Sequence, residues 1–131
     1  MAKASASDLF ERQSGALMAK STNASVRSFA AMMIKDHSAS TADVKAAAMK
    51  AKMKIAPPVL EPMQMKNLAA LRASAGSARD KLYIEQQKAA HADALTLQQG
   101  YAQGGDVPSL RAAAAKIVPV VEHHKMMLDA M

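Results

Sequence analysis

The chain has no cysteine and no tryptophan. That excludes a disulfide framework, a thiolate metal ligand and a thiol nucleophile. Other aromatics are nearly as scarce: Phe10, Phe29, Tyr83 and Tyr101 are the full set in 131 residues. A nucleic-acid surface ordinarily combines concentrated charge with stacking aromatics or a docking motif. Here 17 Lys and Arg against 11 Asp and Glu give a net charge of +6 without any dense basic run. Nucleic-acid binding is therefore not expected, and a mild attraction to anionic envelope surfaces is as good a reading of the charge. No stretch reaches the roughly 20 apolar residues that a membrane-spanning helix needs. The opening "MAKASASD" also lacks the apolar segment of a signal peptide.

Motifs for nucleophilic and phosphate chemistry are missing as well. There is no Gly-x-Ser-x-Gly turn and no Gly-rich phosphate loop. Inward carboxylates are too few for glycosidase-type acid–base work. An enzyme is accordingly the least favoured of the functional classes.

What is present is Ala and Met in quantity, within a chain that is half apolar. Both are strong helix formers, and β-branched residues are sparse, so the chain is expected to be all-α and a single domain over residues 1–131. Breakers divide it into helices at about 5–21, 24–53, 61–73, 77–103 and 108–130. Asn23 or Ser25 can cap the second. Pro57, Pro58 and Pro62 interrupt the chain after it. "GGDVPS" supplies a Gly stop, Asp106 as a cap and Pro108 for the next first turn. Tight loops join the first two helices and the last two, while the middle link is about 23 residues long and partly helical. This pattern predicts a ferritin-like four-helix bundle with a long crossover holding a short extra helix.

Two helices show a clean inward seam. Val26, Ala30, Met33, His37, Ser40, Val44 and Ala47 alternate by four and three, as do Leu110, Ala114, Ile117, Val121, His124, Leu128 and Met131. Both seams carry a histidine. His91 falls on a similar line with Ile84, Gln87, Leu95 and Gln98, while His123 lies about 100° from His124 and looks elsewhere. Counted from their helix starts at 1.5 Å per residue, His37, His91 and His124 reach levels agreeing to within roughly 6 Å. The same height on the first helix is near Asp8 and Glu11, where Ser7, Ser14 and Gly15 leave room for a polar side chain.

Three imidazoles with a carboxylate suit a divalent ion, with zinc or copper fitting better than iron. The expected ligands are His37, His91 and His124, with Glu11 as fourth. The competing arrangement is a metal-free polar network satisfied by Glu11, Gln87, Tyr83 and water. Eleven methionines, including Met63, Met65, Met126 and Met127, could offer soft ligands to copper, but Met at helical spacing is usually core filler. Asp36 and Glu122 flank inward histidines and are expected on the solvated surface. Pro119, one turn before His123 and His124, removes a backbone hydrogen bond and should bend the last helix.

The stretches "SDLFERQSGALMAKSTNASVRSFAAMMIKDHSAST", "YIEQQKAAHADALTLQQGYAQGGDVPSLRAAA" and "VPVVEHH" resemble the domain-of-unknown-function 4142 family across nearly the whole chain. Matching positions are Glu11, Val26, Arg27, Asp36, His37, Tyr83, Gln87, His91, Pro119 and His124. The resemblance implies a bacterial envelope protein with a ferritin-like helical bundle, periplasmic once its signal peptide is removed. It implies no reaction. Ala90 departs from the family pattern, which often places an acid before the histidine, and His123 is an additional imidazole. Ferritin-like di-iron proteins use Glu-x-x-His on two helices plus two further Glu. Here Ile34 and Val121 stand three residues before His37 and His124, so a di-iron oxidase or iron store is not expected.

Overall fold

A computed structural model describes all 131 residues and is entirely helical. The elements are α1 (Ala2–Leu17), α2 (Ala24–Lys50), α3 (Pro62–Ala73), α4 (Gly76–Gly104) and α5 (Pro108–Asp129). Each helix end has a local cause. The Asn23 side chain accepts from the backbone N–H groups of Ser25 and Val26 at 3.0 and 3.3 Å, starting α2. At the far end of α2, Lys52 takes φ 57°, and the N–H of Met53 donates to the Ala48 carbonyl. That is a left-handed stop of the Schellman kind on a residue other than glycine.

Pro62 opens α3 beside a reciprocal capping box between Glu61 and Gln64. Gly105 ends α4, where a Cβ would meet the Tyr101 ring at 2.4 Å, so only glycine lets that ring fold back. One expected cap is not formed. Val107, not Asp106, is the residue before α5, because the Asp106 carboxylate instead accepts from the Tyr101 hydroxyl at 3.2 Å. The first helix also ends four residues earlier than its pattern suggests, since residues 18–20 form the turn into α2.

Cross-helix contacts fix the directions. Asp8 meets His37 and Gly15 lies against Ala30, so α1 and α2 are antiparallel. Asp36 meets His124 and Ser109 meets Ala47, so α2 and α5 are antiparallel. Ser14 meets Gln87 and Ser21 meets Asp80, which sets α4 antiparallel to α1. Hence α2 and α4 run the same way, and the 51–75 link travels back along the molecule with α3 inside it. Arg79 and Gln86 of α4 donate to backbone carbonyls of Leu71 and Asn67 on α3, holding that short helix over α1 and α4. Close approach of α1 to α2 depends on Gly15. A Cβ there would stand 3.1 Å from both the Ala30 carbonyl oxygen and Ile34 Cγ1.

The interior has two apolar halves. Met18, Val26, Phe29, Ala30, Met33, Leu71, Tyr83 and Leu128 form one, and Val44, Ala47, Ala48, Leu110, Ile117 and Val121 form the other. Along α2 the first half ends at Met33 and the second begins at Val44; His37 and Ser40 lie between, both buried. On α5, His124 likewise separates Val121 from Leu128. A polar layer thus crosses the middle of an otherwise apolar core. No helix is long and apolar enough to cross a membrane.

Candidate metal centre

The polar layer is built from four helices. α2 contributes His37, α4 His91 and α5 His124, with residue exposures of 4%, 1% and 0%. α1 contributes Asp8 and Glu11, also buried. The ring centroids of the three imidazoles lie 5.3–5.7 Å apart. One nitrogen from each ring falls within 4.8 Å of the other two. The three imidazoles that the height count puts at one level do lie together.

The outward nitrogens explain how the rings are held. His37 Nδ1–H donates to the Asp8 carboxylate at 2.8 Å, and Asp8 is itself held by the Thr41 hydroxyl at 3.0 Å. His91 Nδ1–H donates to the Gln87 carbonyl at 2.9 Å, one helical turn back. His124 Nε2–H donates to the Asp36 carboxylate at 2.8 Å. A carbonyl and a carboxylate only accept, so each outer nitrogen carries the proton. In the neutral rings the inner nitrogens are then bare lone pairs. His91 Nε2 and His124 Nδ1 face each other at 3.3 Å in that state, and His37 Nε2 is buried with no partner.

Two facing lone pairs repel unless a proton or a cation lies between them. Metal-binding histidines generally show this polarity, the outer N–H engaged and the inner nitrogen free. Tetrahedral ligands about 2.05 Å from zinc are separated by about 3.3 Å. The His91–His124 pair already has that spacing, and the 4.8 Å bound for the full set leaves only small ring movements to close it.

Electrostatics keep His91 and His124 neutral, the form in which an imidazole can ligate a metal. Burial lowers the His91 pKa to about 3, with help from the neighbouring His37 charge and against its hydrogen bond to Gln87. Burial also lowers His124, opposed by the Asp36 hydrogen bond. For His37 burial again lowers the pKa, but the Asp8 hydrogen bond and the charges of Glu11, Asp8 and Asp36 outweigh it, leaving His37 raised. Of the three rings, His37 is therefore the one that takes up a proton most readily. Desolvation lifts Glu11 to about 7, only partly offset by His37 and Gln87.

Glu11 itself is not among the converging atoms. Its Oε1 lies 4.0 Å from His91 Nδ1, the outer nitrogen, and its Oε2 has no hydrogen-bond partner. The Tyr83 hydroxyl and Gln87 Oε1 are buried without partners in the same layer. Phe29 closes one side, with its ring centroid 6.3 Å from those of Tyr83, His91 and His124.

Asp36 corrects the sequence-based expectation. Periodicity puts it on the solvated surface, about 100° from His37 around α2. In the structure its side chain is 30% exposed and reaches across to α5. Its signal in the sequence was the match of Asp36 to the family pattern, which periodicity alone does not read. Glu122 and His123 are exposed, as expected. Pro119 is accommodated within an unbroken α5.

The family model described as "Domain of unknown function (DUF4142)" matches residues 1–131, and the chain belongs to that family. No curated protein and no solved structure shows significant similarity to it.

Proposed function

For this DUF4142 member we propose a metal-binding rather than catalytic role: one divalent ion held between His37 Nε2, His91 Nε2 and His124 Nδ1 inside a ferritin-like four-helix bundle. The observation that carries this reading is the 3.3 Å approach of His91 Nε2 to His124 Nδ1 while both outer nitrogens are already committed as donors. Glu11 is the one buried carboxylate of the layer not hydrogen-bonded to an imidazole, and it would turn inward as fourth ligand. A site of three neutral imidazoles and one carboxylate takes zinc or copper(II) ahead of iron. Asp8 and Asp36 add negative charge and fix the rings, which raises ligand basicity. The role fits metal handling or stress protection in the periplasm.

A second reading is supported by the raised pKa of His37. A proton there would supply the missing positive charge and leave a structural protein whose polar layer fixes helix register. Elemental analysis of tag-free protein, together with melting in the presence and absence of chelator, separates the two. Near-stoichiometric zinc or copper and a melting temperature lowered by chelator support the metal centre. A metal-free protein whose melting is the same with chelator and with added zinc or copper supports the proton.

A further inference from the structure

One end of the molecule carries a concentration of positive charge, four of its lysines lying within residues 45–54. The start of α1, the end of α2 and its following loop, the end of α4 and the start of α5 all meet there, as the Ser109 hydroxyl on the Ala47 carbonyl shows. Lys3, Lys45, Lys50, Lys52 and Lys54 are all exposed at this end. Between Val44 and Leu60 the chain has no acidic residue. Three carboxylates near this end have partners of their own, while exposed Asp93 lies along the groove that Lys3 and Glu61 line. Asp43 pairs with Lys116 at 3.5 Å, Asp106 accepts from Tyr101, and Glu61 belongs to the α3 capping box.

Apolar side chains stand exposed among the lysines: Met49 and Val59 at 75%, Met53 and Met1 at 37%. Met1, Ala2 and Ser5 face Lys54 to Val59 across a shallow groove, so the chain's start and the 54–59 loop form one continuous face.

We propose that this basic, methionine-bearing end docks on an anionic phospholipid surface. Ammonium groups on flexible stems reach lipid phosphates without demanding a fixed geometry, and each lysine near such a surface contributes about 1 kcal/mol. Met49, Met53 and Val59 enter the interface between headgroups, where unbranched and small apolar side chains gain by leaving water. The same face is poorly suited to nucleic acid. Base stacking needs exposed aromatics, and the only one near is Tyr101, half-buried and hydrogen-bonded to Asp106. Docking is independent of the metal centre, which lies mid-molecule.

The test is co-sedimentation of the full chain with vesicles of phosphatidylcholine alone or with about a third phosphatidylglycerol, at low and high salt. Binding is expected to the anionic vesicles only and to weaken with salt. A Lys50→Gln, Lys52→Gln, Lys54→Gln variant should lose about 100-fold in partitioning, three lysines at the stated contribution each. A Met49→Ser, Val59→Ser variant should keep low-salt binding but lose the portion that survives high salt. Circular dichroism confirms that both variants are folded. Equal partitioning to neutral vesicles, an unaffected lysine variant, or tighter binding to a DNA duplex than to anionic vesicles overturns the assignment.

Discussion

His91 Nε2 stands 3.3 Å from His124 Nδ1, and neither nitrogen has a proton to offer the other in the neutral state. Helix packing alone does not require this. An apolar pair would fill the same space without lone-pair repulsion. The contact is stable only with positive charge near it, and that requirement generates the expectations below.

Replacing His91 by leucine should remove the repulsion and the metal site together. The Gln87 carbonyl remains bonded within α4, so no buried acceptor is orphaned. The metal-free protein is expected to melt at or above the wild-type temperature, and added zinc or copper should no longer raise it. A purely structural histidine network predicts a loss of about 1–3 kcal/mol instead. Thermal melts with and without ion check this.

Asp36→Ala frees His124 Nε2 from its acceptor and lets the ring turn. Losing such an outer partner typically weakens a metal site about 10–100-fold without abolishing it. Asp8→Ala should act similarly through His37, while the Thr41 hydroxyl keeps the His37 carbonyl as its acceptor at 3.0 Å. Competition titration against a chromophoric chelator gives both values.

The histidine seams on α2 and α5, their common height and the crossover of the middle link were legible in the sequence, because 3.6-residue periodicity and 1.5 Å rise are fixed by the backbone. Every residue of the Val26-to-Ala47 seam is buried. What periodicity could not show is where a side chain reaches once helices pack. Asp36 points off the α2 seam yet touches α5, and Asp8, rather than Glu11, holds His37. Those pairings depend on the α2–α5 and α1–α2 registers. Gly15 is a partial case: its small size was visible, but that it brings α1 onto the Ala30 carbonyl was not.

Gly15→Val should therefore report on that register. The new side chain must push against backbone at Ala30, which cannot yield as a side-chain tip would. Overpacking of this kind costs about 1–3 kcal/mol. Because α1 carries Asp8 and Glu11, metal affinity should fall along with denaturant midpoint.

Stability of the metal-free protein should pass through a maximum in mildly acidic solution. His91, lowered to about 3, contributes stability above the unfolded pKa near 6.5 that is lost as pH falls toward 3, and His124 acts in the same direction. Glu11, raised to about 7 from 4.5, contributes in the opposite sense. Its share is present below pH 4.5 and lost as pH rises through 7, and His37 also loses its share above its raised pKa. Bound metal requires His37 deprotonated, so ion affinity should decline with acidification beginning above pH 6.5. Melting temperature against pH, with and without zinc, reads both effects.

Calorimetric titration of zinc and copper(II) into tag-free protein at pH 7.5, in parallel with His37→Ala, His124→Ala, tests the centre most directly. One ion per chain with submicromolar affinity, protons released on binding, and affinity lost in the double variant are the expected results. Absence of stoichiometric binding, or the same affinity in the double variant, contradicts the metal centre and leaves the proton on His37 as the charge that holds the layer together.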